Sequence, residues 1–231
     1  MMNPKEPNTV DRVQRIVDSD RGFFDRRIVF IVLTLIWTCL VGIGMSALWK
    51  YQGTPGEQTT SPRYWPVQSL LKHNQNGSTL IMFAHPHCPC TRASIGELSL
   101  LMTHCGEKID ARVLFFNSSK FSAGWKKTDL WYSAAEIPGV AVSSDQEGFE
   151  AKTFQSTTSG YVLLYDANGR LLFQGGITGS RGHSGENAGR SAIEAMLMNK
   201  TAETKQTFVY GCLLQDRTET SGKENQVCPQ Q

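Results

Sequence analysis

The sequence lacks an excess of charge of either sign: 23 Lys and Arg balance 21 Asp and Glu, which leaves a formal net charge of +2 over 231 residues. A nucleic-acid-binding surface is therefore not expected. The six cysteines are too few for a disulfide-rich scaffold, and the sequence has no internal repeat. With 40% hydrophobic and 19% charged residues, a largely disordered chain is also excluded. This length and composition indicate one folded domain with additional segments, or two small domains.

A long uncharged segment near the N-terminus predicts a membrane span. Residues 28–49 read IVFIVLTLIWTCLVGIGMSALW, which is 22 residues without a charged side chain. A helix of this length, at about 1.5 Å per residue, crosses the ~30 Å hydrocarbon core of a bilayer. One alternative is a buried core helix, which is disfavoured because the segment has no polar face. The other is a cleaved signal peptide, which is disfavoured because its apolar region normally has about 7–15 residues.

Basic residues on the two sides of the span predict its orientation. Only Lys50 and Arg63 follow it closely, whereas six basic residues precede it: Lys5, Arg12, Arg15, Arg21, Arg26 and Arg27. By the positive-inside rule, residues 1–27 are cytoplasmic and the chain from residue 50 onward lies outside. In a bacterium this predicts a single-pass protein of the inner membrane. Its C-terminal domain would then be periplasmic, in a compartment where disulfide bonds form.

The chain beyond the span divides by composition. Residues 50–64 are rich in Gly, Pro, Ser and Thr and predict a linker, residues 65–200 a folded domain, and residues 201–231 a mostly polar C-terminal tail. Short apolar runs predict strands over 79–84, 111–117, 139–143, 160–165 and 170–174. Amphipathic stretches predict helices over 91–105, 127–135, 147–154 and 187–198. The order indicates an α/β three-layer sandwich, a mixed sheet with helices on both faces that ends in an antiparallel pair of strands.

Two cysteines stand where the first predicted strand is followed by the long helix. Residues 83–92 read FAHPHCPCTR, so that Pro89 separates Cys88 from Cys90. The N-terminus of a helix presents unpaired N–H groups and a partial positive charge, which lower the pKa of a nearby thiol and make it a nucleophile. Cys88, just outside the helix, is predicted to be the more exposed, attacking thiol, with Cys90 on the first turn as its resolving partner. The alternative is a pair of inert structural cysteines.

The motif and the segments that follow it resemble a known family. The stretch FAHPHCPCTRASIGEL is similar to FWATWCPPCRxExPEL of membrane-anchored thiol–disulfide oxidoreductases with the thioredoxin-like fold, and GYVLLYDANGRLLFQGG resembles their final hairpin. The segment SSDQEGFEAKTF resembles the strand–helix insertion that they share with peroxiredoxins. More narrowly, HPHCPCT, GGITGSRGHSGENAGR and FVYGC resemble the RedB-type bacterial thioredoxin-like proteins. The resemblance covers residues 65–200 and implies thiol–disulfide exchange with a protein substrate or redox partner, without a cofactor.

The sequence departs from that family in two places. A CPC spacing replaces CxxC, so that a disulfide between Cys88 and Cys90 would close a smaller, strained ring and have a higher reduction potential. The family also places a cis-proline before the penultimate strand, facing the cysteines, and here Gly160 occupies that position. The resemblance therefore implies a looser wall beside the cysteines in this chain.

Two histidines flank the cysteine loop and are candidate auxiliary residues. His85 and His87 are either ordinary turn residues or protonated groups that lower the pKa of the thiol. Together with Cys88 and Cys90 they also form a set of ligands suited to Cu(I) or Zn(II). A copper-binding metallochaperone is therefore the alternative function.

The remaining candidates lie outside the motif. His183, in RGHSGENAGR, either approaches the cysteines or belongs to a turn in which Glu186 or Asn187 caps the last helix. Cys212 and Cys228 in the tail predict a structural disulfide, and the alternative is that Cys212 reaches the CPC motif as a third redox thiol. The sequence thus predicts membrane-anchored thiol–disulfide exchange, with copper binding and a non-catalytic interaction module as alternatives.

Overall fold

A long apolar helix is the first element of the chain. The computed structural model describes residues 9–122 and 124–215, with side chains from residue 26 onward. Helix α1 (Thr9–Gly53) contains a 28-residue stretch, Arg26–Gly53, that is long and apolar enough to cross a membrane and is not buried in the structure. The predicted span of residues 28–49 lies within this stretch. A signal sequence near the N-terminus meets the same criteria of length and composition.

The chain divides into two compact units after Tyr51, and the second unit is built on a five-stranded mixed sheet. Its strands are β1 (Ser78–Ala84), β2 (Ile109–Asn117), β3 (Val140–Gln146), β4 (Tyr161–Tyr165) and β5 (Leu171–Gly175), in the order β3-β2-β1-β4-β5. Strands β1, β2 and β3 are parallel, whereas β4 is antiparallel to both β1 and β5. The helices are α2 (Thr91–Cys105), α3 (Asp129–Ala135), α4 (Phe149–Thr153) and α5 (Ala188–Leu197).

Strand β1 is buried on both faces because its side chains alternate between two hydrophobic cores. Leu80 and Met82 pack in the core that α2, α3 and α5 cover. Ile81 and Phe83 point to the opposite face, where Ala151 of α4 lies in the second core. A strand buried on both sides needs the continuous apolar run that the sequence shows. The predicted α/β three-layer architecture, with its mixed sheet, helices on both faces and a final antiparallel pair, is confirmed.

The folded unit extends beyond the predicted bounds of residues 65 and 200. Of the predicted linker over 50–64, the first residues belong to α1, and a later part packs on the sheet, since the Tyr165 hydroxyl donates to the Pro62 carbonyl at 2.9 Å. In the predicted tail, Val209 and Leu214 are 3% and 2% exposed and lie in the second core. Helix α4 is short, so these non-helical segments complete the cover of that face. The predicted bounds were too narrow because both segments are mostly polar, with only isolated apolar residues to indicate that they pack on the sheet.

Candidate active site

The two cysteines of the CPC motif lie at the junction of β1 and α2. Strand β1 ends at Ala84 and α2 begins at Thr91, with Cys90 as its N-cap residue. The loop turns tightly, because the Cys88 N–H donates to the His85 carbonyl at 3.1 Å and the Thr91 N–H donates to the Cys88 carbonyl at 3.1 Å. Cys88 therefore lies just before a helix N-terminus, where the partial positive charge of the helix favours a thiolate.

Neither cysteine of the motif is exposed. Cys88 is 0% and Cys90 7% exposed, so the prediction that Cys88 is the more exposed thiol is wrong. The reason is the C-terminal segment 211–214, which lies against the motif: the Cys212 N–H donates to the Cys88 sulfur at 3.4 Å. The Cys88 sulfur is therefore closed off from solvent while this covering segment is in place.

The covering segment 211–214 runs antiparallel to residues 157–159, which precede β4. The Ser159 N–H donates to the Cys212 carbonyl at 2.8 Å, and the Leu214 N–H donates to the Thr157 carbonyl at 2.8 Å. The two segments are so close at Gly211 that a Cβ there would collide with the carbonyl oxygen of Ser159. Glycine at this position therefore allows Cys212 to approach the motif.

Hydrogen bonds to its sulfur hold the pKa of Cys88 well below that of an ordinary thiol. The Cys212 thiol contributes most and the Cys90 thiol follows; the Cys212 N–H and the Thr91 hydroxyl add to the effect, while burial opposes it. Donors directed at a sulfur stabilise its charged form, so they lower the pKa. The reduced site therefore contains a Cys88 thiolate surrounded by donors, which is the nucleophilic form of cysteine.

A chain of hydroxyl groups orients the Thr91 donor. The His85 N–H donates to Ser159 Oγ at 2.7 Å, and Ser159 Oγ lies 2.6 Å from Thr91 Oγ1. Thr91 has a single hydroxyl proton, so when that proton is directed at the Cys88 sulfur it is Ser159 that donates in the hydrogen bond between the two hydroxyls. Sequence reasoning missed Thr91 and Ser159, since serine and threonine are common and these two are 68 residues apart.

Cys90 differs from Cys88 in its electrostatics. Its hydrogen bond to Cys88, burial and the Cys88 charge raise the pKa of Cys90, and Arg181 opposes them. Cys90 therefore stays a neutral thiol while Cys88 is a thiolate. Arg181 also donates from Nη1 to the Gly211 carbonyl at 2.9 Å, so that one guanidinium contacts both the motif and the covering segment. This arginine was not identified from the sequence either.

Gly160 lies at the start of β4 and faces α2. Its N–H donates to the Phe83 carbonyl at 2.7 Å, its φ is +87°, and a Cβ there would lie 2.9 Å from Ser94 Oγ. The absence of a side chain thus permits a left-handed backbone and close contact with the helix. Ser159 contacts the motif instead, and residues 157–159 pair with the covering segment where the sequence predicted a looser wall.

His85 and His87 pack against Trp125 beside the motif. The ring centroids of His85 and His87 lie 5.4 and 4.8 Å from that of the indole, and His87 Nε2 lies 3.0 Å from the Trp125 carbonyl oxygen. His85 Nδ1 accepts the His87 N–H at 3.2 Å. Among the side chains that the structure describes, no three of His, Cys, Asp or Glu are arranged to hold a metal ion. Auxiliary or ligand roles for these two histidines stay predictions.

The loop that carries His183 joins β5 to α5 and contacts α2. Asn187 caps α5 by accepting the Arg190 N–H at 2.8 Å, which is one of the two caps that the sequence predicted. The fully buried carboxylate of Glu97 in α2 accepts the Gly185 N–H at 2.7 Å and pairs with Arg190 at 2.9 Å. His183 itself is exposed, and a role for it beside the cysteines stays a prediction.

The cysteines in the described part of the chain are thiols, without a disulfide among them. Cys228 falls in residues 216–231, outside the described residues, so the predicted disulfide between Cys212 and Cys228 stays a prediction. The alternative, in which Cys212 reaches the CPC motif, agrees with the position of its N–H against the Cys88 sulfur.

Comparison with known proteins identifies structural relatives. No protein-family model matches the sequence, and no curated protein matches it. An uncharacterized conserved protein from Geobacillus kaustophilus superposes with a TM-score of 0.53 at 18% identity, over 73% of this chain and 95% of its own. A hypothetical protein from Sinorhizobium meliloti 1021 superposes with a TM-score of 0.50 at 20% identity, over 70% and 97%. A secreted Mycobacterium tuberculosis disulfide oxidoreductase homologous to E. coli DsbE has a TM-score of 0.39 at 10% identity, over 55% and 83%.

The strand order and the helix positions define the class of this domain. A parallel β1-α2-β2 unit is followed by an antiparallel β4-β5 pair and α5, with β3 and α4 inserted between the halves. This arrangement is the thioredoxin-like fold, and the prediction made from the sequence is confirmed. Similarity at such low identity shows the fold alone, because one fold supports many functions.

Proposed function

We propose that this chain is a membrane-anchored thiol–disulfide oxidoreductase whose nucleophile is Cys88. The observation that carries the proposal is the environment of the Cys88 sulfur, which lies before a helix N-terminus and accepts hydrogen bonds from the Cys212 N–H and from neighbouring thiol and hydroxyl groups. A structural cysteine in an apolar core has a raised pKa and stays neutral. The lowered pKa of Cys88 supports a reactive role instead.

The reaction is an exchange of disulfide bonds. The Cys88 thiolate attacks one sulfur of a substrate disulfide, the substrate S–S bond breaks, and the second substrate sulfur leaves as a thiolate that takes up a proton. A second thiol of this chain then attacks the Cys88 sulfur and displaces the remaining substrate thiolate. The substrate gains two electrons, and two cysteines of this chain become a disulfide. An external dithiol returns the pair to the reduced state, and no diffusible cofactor takes part.

Two thiols lie beside Cys88 and are candidates for the second step, those of Cys90 and Cys212. The sequence motif favours Cys90. The substrate is a protein disulfide or a redox partner that presents one, because the chemistry requires only an accessible sulfur–sulfur bond and an approach to the β1–α2 junction.

The experiment that tests the activity uses the full chain in detergent micelles. Reduced protein is mixed with a disulfide-containing model protein, and the release of substrate thiols is followed over time. Replacement of Cys88 by Ser is expected to abolish the reaction. The matched control is Cys105→Ser, which removes a buried cysteine of the core and is expected to keep it. Equal activity of the two variants would refute the proposal.

We also propose that α1 anchors the domain on the outer side of the membrane, which is the periplasm in a bacterium. The support is the 28-residue apolar stretch and the excess of basic residues before it. A reporter enzyme that is active only outside the cytoplasm, fused after Gln231, is expected to be active. Activity of a cytoplasmic reporter at the same position would contradict this orientation. The mass of the membrane-bound protein then distinguishes an intact anchor from a cleaved signal sequence.

A further inference from the structure

We propose that Cys212 is the thiol that releases substrate from Cys88, so that the redox disulfide of this chain joins Cys88 to Cys212. The inference rests on the proposed function and assigns its second step. It starts from the covering segment 211–214, which places the backbone N–H of Cys212, 124 residues away in the sequence, 3.4 Å from the Cys88 sulfur and brings the Cys212 thiol into hydrogen-bonding contact with the same sulfur.

Anchors on both sides of Cys212 hold it beside the Cys88 sulfur when the covering segment is closed. Val209 and Leu214 are buried in the second core, and the Gly56 N–H donates to the Val209 carbonyl at 2.8 Å. Arg181 holds the carbonyl of Gly211 at 2.9 Å. A thiol on a segment attached in this way has a high effective concentration at the Cys88 sulfur, since it is delivered within the same molecule.

Cys90 is less suited to the second step. It is the N-cap residue of α2, it is 7% exposed, and one residue separates it from Cys88. A disulfide across a single residue closes a small ring and must depart from the preferred torsion angles of the S–S bond. Cys212 has no such restriction, because it belongs to a separate segment and is partly exposed. In this assignment Cys90 is a positioning residue whose thiol donates a hydrogen bond to the Cys88 thiolate and keeps its proton.

The covering segment and a substrate compete for the same place. Cys88 is fully buried while the segment is bound, so the segment must open before Cys88 attacks a substrate disulfide. When the segment closes again, the Cys212 sulfur attacks the Cys88 sulfur and gives up its thiol proton, the bond between Cys88 and the substrate breaks, and the substrate sulfur leaves as a thiolate that takes up one proton. Electrons balance, since the substrate disulfide is reduced to two thiols while Cys88 and Cys212 are oxidised to one disulfide. When the covering segment pairs with residues 157–159 again, it displaces the reduced substrate from that position.

The test follows glutathione on Cys88. Reduced full chain in detergent micelles is mixed with glutathione disulfide, quenched with acid, alkylated and mapped by mass spectrometry. Cys90→Ala removes a donor to the Cys88 sulfur and is expected to slow the attack on glutathione disulfide, but glutathione is still released from Cys88, with the Cys88–Cys212 disulfide as the product. Cys212→Ala is expected to keep glutathione on Cys88 roughly tenfold longer or more. Gly211→Ala, which pushes the covering segment off Ser159, is expected to delay release in the same direction, whereas Gly179→Ala has open space and is the matched control.

Three outcomes would overturn the inference. The first is release from Cys212→Ala at the wild-type rate with a Cys88–Cys90 disulfide as the product. The second is persistence of glutathione in Cys90→Ala, and the third is a disulfide between Cys212 and Cys228 in the purified protein before treatment. The double variant Cys90→Ala/Cys212→Ala separates this inference from the proposed function. It is expected to accumulate glutathione on Cys88, and its failure to do so would contradict the proposed function as well.

Discussion

Replacement of Thr91 by Val is expected to raise the pKa of Cys88 by about one unit. Valine keeps the shape of threonine but removes the hydroxyl group that donates to the Cys88 sulfur. A hydrogen bond to a charged group contributes about 1.5–3 kcal/mol, and one pKa unit corresponds to about 1.4 kcal/mol, which gives roughly one to two units. The lower end applies because Thr91 contributes less than the Cys212 and Cys90 thiols.

The same change alters stability with a definite sign. The pKa of Cys88 is lower in the folded chain than in the unfolded one, so its contribution to the free energy of unfolding is fully present above the unfolded pKa of about 8.5 and is lost as the pH falls toward the folded value. At pH 8.5 a one-unit rise in the folded pKa therefore removes about 1.4 kcal/mol. In a Cys88→Ala background the thiolate is absent, so Thr91→Val lowers the free energy of unfolding only through its other contacts, chiefly the hydrogen bond to Ser159 at 2.6 Å. The difference between the two backgrounds is the contribution of the Thr91 hydroxyl to the thiolate.

The assay is a pH titration of the Cys88 carbon signal by NMR in cysteine-labelled full chain, together with urea unfolding at pH 8.5. Thr91→Ser is the matched control, because it keeps the hydroxyl and removes only the methyl group. An unchanged Cys88 titration in folded Thr91→Val would refute the hydroxyl chain from His85 through Ser159 to Thr91. An equal shift in Thr91→Ser would instead assign the effect to packing.

Three further predictions concern stability in urea unfolding. The free energy of unfolding of the reduced chain should increase as the pH rises from about 6 to 8, since the unfolded Cys88 thiol binds a proton that the folded thiolate does not. Cys88→Ala should abolish this dependence on pH, and an unchanged dependence in that variant would contradict a Cys88 thiolate in the folded chain. Gly160→Ala should lower the free energy of unfolding by about 2 kcal/mol, because the φ of Gly160 is +87° and a Cβ there would contact a serine hydroxyl of α2. Gly179→Ala should lower it far less, and equal losses would contradict this contact. Glu97→Ala should cost about 3 kcal/mol, because it removes a fully buried carboxylate that pairs with the partly buried Arg190 and accepts the Gly185 N–H. A similar loss in the exposed Glu107→Ala would argue against that role.

Local patterns in the sequence determined the elements and the place of the nucleophile. Helix α2 was predicted over 91–105 and is observed as Thr91–Cys105, since its apolar spacing and the glycine after it are local signals. The continuous apolar run of β1 predicted a buried strand, and in the structure its side chains fill two cores, one on each face of the sheet. The position of Cys88 between that strand and that helix followed directly, because both boundaries are encoded within ten residues of it.

The tertiary structure alone decided how the site is covered. Segment 211–214 reaches Cys88 across 124 residues, and its attachment depends on Val209 and Leu214 filling a core face that α4 leaves partly open. Burial of this kind depends on which distant side chains meet, and neither composition nor periodicity records that. For the same reason Thr91, Ser159 and Arg181 were not identified, although each contacts one of the site's groups. The sequence by itself therefore determined where the candidate nucleophile is and that a helix N-terminus favours its thiolate, whereas only the folded chain determined which donors surround its sulfur and how far it is buried.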